Sequence, residues 1–125
     1  MSKFGAMPKM RQIMRRGEIR WYEFAAPDKR RPVLILTRTS ALRFLTGITV
    51  APITSTIRSI PSEVLLTPHE DGVFNDCAVN LDNVQTVQKA RMGALLTTLS
   101  ALRMREVEQA LCFALGMDRL FTLGN

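Results

Sequence analysis

The run Arg30-Arg-Pro-Val-Leu-Ile-Leu-Thr37 decides the fold. From Pro32 to Thr37 it is continuously β-rich, which predicts a strand buried on both faces or nearly so. Working outward, Glu18-Ile-Arg-Trp-Tyr-Glu-Phe24 alternates and predicts a half-buried strand, and Ala26-Pro-Asp-Lys-Arg30 has turn chemistry. Downstream, Ser40–Leu45 predicts a short helical turn with Ser40 as its N-cap. Gly47–Thr54 reads as a third strand, and Pro52 suggests that it lies at an edge or a bulge. Ile60-Pro-Ser marks a turn, Glu63–Thr67 a fourth strand and His69-Glu-Asp-Gly72 a loop. Cys77–Leu81 and Val84–Val87 are short strands around Asp82-Asn83, and Met92–Thr97 is another. Ser100 then caps a helix running to about Leu115, with Gly116 as its stop. Leu102, Val107, Ala110, Leu111, Ala114 and Leu115 trace its apolar stripe.

Six or seven closely spaced strands followed by one amphipathic helix give an α+β fold, a small curled barrel with the helix packed on it. Residues 15–118 form the expected domain. Residues 1–14 read as an N-terminal extension, because Gly5 and Pro8 interrupt the helical spacing of Met7, Met10 and Met14; residues 119–125 read as a tail. At 125 residues, 46% hydrophobic and 22% charged, the chain suits one domain with a real core. That excludes a TIM barrel and a Rossmann domain with a separate substrate domain. No apolar run reaches the roughly 18 residues of a membrane span, and no secretory apolar core is present at the start. Cys77 and Cys112 stand in no metal-ligand spacing and read as buried, inert thiols, which fits a reducing cytoplasm.

Charge narrows the function. The net charge is +6. Residues 1–31 hold nine bases (Lys3, Lys9, Arg11, Arg15, Arg16, Arg20, Lys29, Arg30, Arg31) against Glu18, Glu23 and Asp28, while the rest of the chain is balanced. A basic end suits a polyanion such as nucleic acid; a solvated, solubilising tail is the plainer reading. His69 is the only histidine, which excludes a two-histidine ribonuclease mechanism. Glu70, Asp71 and Asp76 read as a solvated acidic loop rather than a metal cluster. Trp21, Tyr22, Phe24 and Phe44 are stacking candidates, most of them core.

Four short motifs in order carry a resemblance: Arg16-Gly-Glu-Ile19, Arg31-Pro-Val-Leu-Ile35, Ala51-Pro-Ile-Thr-Ser55 and Asp82-Asn-Val-Gln-Thr86. With the single helix behind them, residues 16–116 resemble the MazF/PemK toxins of bacterial toxin–antitoxin modules. The resemblance implies an SH3-like barrel that forms a homodimer. It implies cleavage of single-stranded RNA at short sequence motifs, with no metal and no cofactor. It also implies a partner, a MazE-like antitoxin whose disordered acidic tail wraps over the dimer. By position, the family's catalytic arginine matches Arg31 and its catalytic threonine matches Thr54. Ser55 and Thr56 border the RNA groove, Asn83 and Gln85 stand where relatives place base- and phosphate-contacting groups, and Lys29 and Arg30 extend the basic stretch. Two departures stand out. The segment between the first two strands is short, with only Asp28 as its acid, and Gln85 replaces a residue that is basic in many members.

Metal-free RNA cleavage uses the ribose 2′-hydroxyl as nucleophile, and charge builds on the non-bridging phosphate oxygens. A forked cation beside them lowers the barrier, which is the role expected of Arg31. Thr54 is expected to donate a hydroxyl to the same phosphate or orient the nucleophile. The expected products are a 2′,3′-cyclic phosphate and a 5′-hydroxyl. The alternative is a non-catalytic module, since the same barrel resembles that of the CcdB toxins, which poison DNA gyrase by binding. Arg31 would then be dispensable and the toxic determinant would sit on the C-terminal helix. The paired Arg31-Pro-Val and Pro52-Ile-Thr-Ser motifs favour the nuclease.

Overall fold

The apolar run forms β2 (Arg30–Ile35), in which Val33, Leu34 and Ile35 are all fully buried. A computed structural model describes residues 13–25 and 30–119. The expectations for the extension up to residue 12, the turn at 26–29, Lys29 and Asp28, and the tail from residue 120 lie outside the described residues.

β2 stands between β1 (Glu18–Glu23) and β3 (Gly47–Thr54), with Ile19 opposite Leu34 and Leu34 opposite Ala51. β5 (Cys77–Asn80) pairs with the end of β3 and with β4 (Glu63–Leu66), while β6 (Gln85–Gln88) pairs with the start of β3. β7 (Met92–Thr98) flanks β1 with two register shifts, which bend and curl the sheet there. Every pairing is antiparallel, and the order is β4-β5-β3-β2-β1-β7 with β6 off the path beside β3. The expected α+β class and curled barrel are borne out.

Strand alternation divides the core in two. One face carries Ile19, Leu34, Ala51, Leu66 and Val79 and is covered by helix α3 (Ala101–Ala114). Ser100 caps α3 as expected, its hydroxyl accepting the Arg103 N–H at 3.0 Å. The buried stripe differs from the expected one: Met104, Val107 and Ala110 are its centre, and Leu102 and Leu115 are exposed. Leu102 precedes Val107 by five residues, about 140° from it around the helix. The opposite face carries Tyr22, Val33, Ile35, Ile48, Val50 and Val87, joined by Met14 and by Leu42 of the short helix α1 (Thr39–Leu42).

Five local expectations are corrected. Ser40 is not an N-cap: the capping position is Arg38, whose side chain makes no capping bond. α1 therefore starts at Thr39, whose hydroxyl instead accepts the Arg16 N–H at 3.0 Å. β3 is an interior strand despite Pro52. The Leu36 N–H donates to the Thr49 carbonyl at 2.9 Å, so odd residues of β3 turn their backbone to β2 and even ones turn away. The donor that Pro52 lacks thus falls between the end of the β6 ladder at Val50 and the start of the β5 ladder at Ile53. The segment after β4 is a short helix, α2 (Pro68–Asp71), capped by Thr67 and ended by Gly72 at φ +74°. Asp71 is buried rather than solvated, because Arg103 and the Thr67 N–H hold its carboxylate. Finally, Cys112 is half-buried, whereas Cys77 is buried. Burial pushes the Cys77 thiol pKa up, and Asp71 and Asp76 add to the effect.

α2 also closes the barrel. The Thr97 hydroxyl of β7 donates to the Asp71 carbonyl at 2.8 Å, and Arg103 of α3 binds the Asp71 carboxylate through Nε at 2.9 Å. Two sheet ends that share no ladder among the described residues are thereby tied together. No described helix is long and apolar enough to cross a membrane.

Candidate active site

α3 covers one face of the sheet; on the other, Met14 and Leu42 of α1 join the core on the middle of the strands, and the exposed end of β2 is open to solvent. Val33 lies opposite Pro52 and Leu34 opposite Ala51. Carried two residues further, this register sets Arg31 level with Thr54, about 5 Å apart between Cα atoms. By alternation both belong to the face of Val33 and Val50, away from α3.

Arg31 is exposed and has no hydrogen-bond or ion-pair partner among the described residues, so its forked donors are available to an anion. Thr54 is half-buried where β3 leaves the sheet. Its Oγ1 accepts the Thr56 N–H at 3.0 Å, which occupies a lone pair and leaves the O–H to donate elsewhere. Ser55 and Thr56 follow at once and are exposed. Gln85 is exposed on the same face, since it pairs with Val50 and alternates with buried Val87, but it lies about 13 Å along the sheet from Thr54. Asn83 is exposed at the end of the 3-10 turn Leu81–Asn83, where the Asn80 side chain accepts the Asp82 N–H at 3.0 Å.

Arg30 is not brought to this face. It alternates to the other side of β2, where its guanidinium stacks 4.7 Å from the Trp21 ring centre. Among the described bases of the N-terminal quarter, Arg16, Arg20 and Arg30 are spent on structure. Arg16 pairs with Glu108 at 3.0 Å and donates to the Leu36 carbonyl, and Arg20 pairs with buried Glu18 at 2.8 Å. Sequence reasoning missed two residues beside Arg31. Tyr22 is its cross-strand neighbour, a buried ring whose hydroxyl accepts the Gln88 N–H at 3.1 Å. The Arg91 guanidinium sits 6.0 Å from the centre of that ring. The Lys89-Ala-Arg91 pair of bases after β6 was the available signal. Among the described residues no group of three or more His, Cys, Asp or Glu side chains is placed to hold a metal ion, and His69 is exposed.

Residues 15–115 match the family model of PemK-like, MazF-like toxins of type II toxin–antitoxin systems. The chain belongs to this toxin family. Among relatives of known name, it is 41% identical over 110 residues to "Probable endoribonuclease MazF5" of Mycobacterium tuberculosis, a match covering 88% of this chain and 100% of that one. It is 40% identical over 98 residues to "Probable endoribonuclease MazF2" of the same species, covering 78% and 94%. Among solved structures, the Mycobacterium tuberculosis toxin MazF-mt6 superposes with a TM-score of 0.73 at 35% identity, over 81% of this chain and 98% of that one. A mycobacterial endoribonuclease in complex with its cognate antitoxin superposes with a TM-score of 0.73 at 27% identity, over 83% and 96%. Nothing in these likenesses favours a gyrase-binding toxin.

Proposed function

We propose that this chain is the toxin of a toxin–antitoxin pair and a metal-independent endoribonuclease that cuts single-stranded RNA at a short sequence motif. The observation that carries the reading is an exposed guanidinium, Arg31, without a partner among the described residues, which the β2–β3 register, carried past Val33 and Pro52, sets level with the strand-end hydroxyl of Thr54 on the face opposite α3. The family it belongs to and its endoribonuclease relatives support the reading.

In the mechanism the 2′-oxygen attacks the adjacent phosphorus in line, and the bond from phosphorus to the 5′-oxygen breaks. One proton passes, through solvent, from the 2′-oxygen to the 5′-oxygen, leaving a 2′,3′-cyclic phosphate and a 5′-hydroxyl. Arg31 binds the non-bridging oxygens through its forked donors as their charge grows. Thr54, its lone pair taken by the Thr56 N–H, donates its O–H to the same phosphate. Ser55, Thr56, Asn83 and Gln85 line the path of the flanking nucleotides.

A homodimer acting in the cytoplasm completes the reading. Phe44 and Leu45 after α1 leave apolar surface for a second copy to cover. A disordered acidic antitoxin tail would compete with RNA for the basic face by charge. The test is to incubate the purified, antitoxin-free protein with mixed-sequence single-stranded RNA in EDTA and map the ends. Cyclic-phosphate and 5′-hydroxyl ends at one recurrent motif are expected, with Arg31→Ala and Thr54→Ala each slowing cleavage by about a hundredfold or more. Intact RNA with folded wild-type protein would overturn the proposal.

A further inference from the structure

Four residues beyond Thr54 the chain carries an arginine that the site above does not use. The Arg58 side chain is half exposed, yet it is fixed by a carboxylate that is almost wholly buried: the side-chain exposures of Arg58 and Glu63 are 50% and 2%. Glu63 accepts twice from it, Oε1 from the Arg58 backbone N–H and Oε2 from Nε, both at 2.9 Å. Both terminal amino groups of Arg58 are left without a partner among the described residues.

The loop around this clasp is held at both ends. Thr54 Oγ1 takes the Thr56 N–H at its start. At its far end Glu63 N–H donates to the Ile60 carbonyl, and Ser62 donates to Asp82 at 2.5 Å in the turn that presents Asn83. Between them Ser59 sits at φ +55°, a left-handed conformation that is unfavourable for serine and persists where surrounding bonds enforce it. The sheet register places the clasp. Thr54 lies opposite Ala78, Ala78 opposite Leu65, and Glu63 is two residues from Leu65, so Thr54 and Glu63 share a face. Two strand spacings separate their rows, about 10 Å across the sheet.

We propose that Arg58 is a second guanidinium binding the RNA backbone, on a phosphate flanking the one held by Arg31 and Thr54, and that Glu63 is the residue that positions it. The inference rests on the ribonuclease reading above. Bonding through Nε turns the flat fork outward, and a side chain already ordered in the free protein loses little entropy when it binds a phosphate. Glu63 makes no contact with RNA; it acts through Arg58.

The test uses the RNA motif mapped for the wild-type protein, in a cleavable oligonucleotide and in one with a 2′-deoxy sugar at the cut linkage. Arg58→Ala is expected to raise KM for the first and Kd for the second about tenfold, the value of one charge-assisted hydrogen bond, with kcat within about threefold of wild type. The slope of log K against log salt should shrink by about 0.7, one phosphate contact on a single strand. Arg58→Lys should keep that slope while losing part of the affinity. Glu63→Gln should shift Kd in the same direction by less, and add nothing in an Arg58→Ala background. Each Arg58 variant keeps its backbone N–H on Glu63, and thermal melting checks the fold. Arg58→Ala that binds RNA like wild type, or loses kcat with Kd unchanged, overturns the inference while leaving the ribonuclease reading intact. A wild-type protein that cuts no RNA overturns the reading on which it stands.

Discussion

Replacing Arg103 by methionine should unfold this domain more readily than removing any other arginine paired on α3 or β1. Arg103 reaches three carboxylates: Asp71 through Nε at 2.9 Å and Nη2 at 3.1 Å, Glu106 through Nη1 at 2.8 Å and Glu70 through Nη2 at 2.9 Å. The hydrogen bond to Asp71 leads in raising the Arg103 pKa above its ordinary range, so the guanidinium is charged at every accessible pH. The three legs differ in burial. The Asp71 side chain is 3% exposed, while those of Glu106 and Glu70 are 48% and 63% exposed. Losing the two exposed partners is worth a few tenths of a kcal/mol each. Stranding the buried Asp71 carboxylate is the large term, about 3 kcal/mol at the lower end for a broken buried pair because Arg103 itself is partly solvated. For a chain of this length that corresponds to a fall in Tm of about 12 °C. Urea denaturation followed by the fluorescence of Trp21, the only tryptophan, reads it as a lower midpoint at unchanged slope. Glu70→Gln and Glu106→Gln should each cost less than about 0.5 kcal/mol, and Asp71→Asn in the Arg103→Met background should recover about 1 kcal/mol by removing the stranded charge. An Arg103→Met loss below about 1 kcal/mol, or one matched by Glu70→Gln, would refute the reasoning that this single buried leg locks α2, α3 and β7 together.

Three further outcomes follow from particular contacts. Gly72→Ala would place a Cβ 2.8 Å from Thr97 Oγ1 at a residue with φ +74°, whereas Gly116, at φ +76°, has nothing within 4 Å. Gly116→Ala should therefore cost about 1 kcal/mol and Gly72→Ala about 2 kcal/mol or more by denaturant titration; equal costs would mean that the Thr97 contact yields. Tyr22→Phe removes the acceptor of the Gln88 N–H and should cost about 1 kcal/mol, with faster hydrogen exchange confined to that amide. Burial tends to raise the Glu63 pKa, but the Arg58 N–H, guanidinium and charge outweigh it and hold the carboxylate below its ordinary value. A lowered folded-state pKa stabilises the protein above the unfolded-state value of about 4.3, and that contribution drains away as pH falls through the folded-state value. Melting temperatures between pH 6 and 3 should thus fall less steeply for Glu63→Gln than for wild type, and parallel curves would contradict the assignment.

Most of the fold was legible because most of it is local. β1, β2 and the third strand announce themselves through alternation or unbroken β-rich runs, and Ser100 with Gly116 brackets α3. What was misread turns on two signals of unequal reach. Thr67-Pro-His-Glu70 is a capping pattern with proline at the first helical position, so α2 was encoded locally but lost beneath the acidic stretch beside Gly72. The burial of Asp71 was not encoded locally, because its partner Arg103 is 32 residues away. Pro52 misled for a related reason: a missing donor marks either an edge or a gap between two partners, and only the ladder tells them apart. At the site, the motifs carried the identities of Arg31 and Thr54, but 23 residues of chain separate them and strand register alone sets them level. Arg30, adjacent in sequence, turns to the opposite face by the same alternation.

That alternation links fold to chemistry. A single curled sheet has two faces, and one helix can cover only one of them; here α3 takes the face of Ile19, Leu34 and Ala51. The arginines that could have crowded the other face are withdrawn: Arg16 to Glu108, Arg20 to Glu18, Arg103 to Asp71, Arg30 to Trp21. Each withdrawn guanidinium is neutralised or stacked where it lies, while Arg31 at the strand end has no partner among the described residues and Arg58, clasped by Glu63, keeps both terminal amino groups open. A chain that cuts RNA without a metal ion must supply its positive potential from fixed guanidinium groups, and they serve only if no carboxylate of the protein has claimed them first. The pairing of Arg16, Arg20 and Arg103 is therefore as much a part of the proposed site as the open donors of Arg31 and Arg58. It leads to one last expectation, that of Arg31→Ala and Arg16→Ala the first removes cleavage and spares the fold, while the second loosens the start of β1 and α3 and leaves cleavage by the remaining folded protein intact. Thermal melting beside single-turnover cleavage measures both, and equal loss of cleavage per folded molecule in the two variants would show that paired and unpaired arginines do not divide the labour in this way.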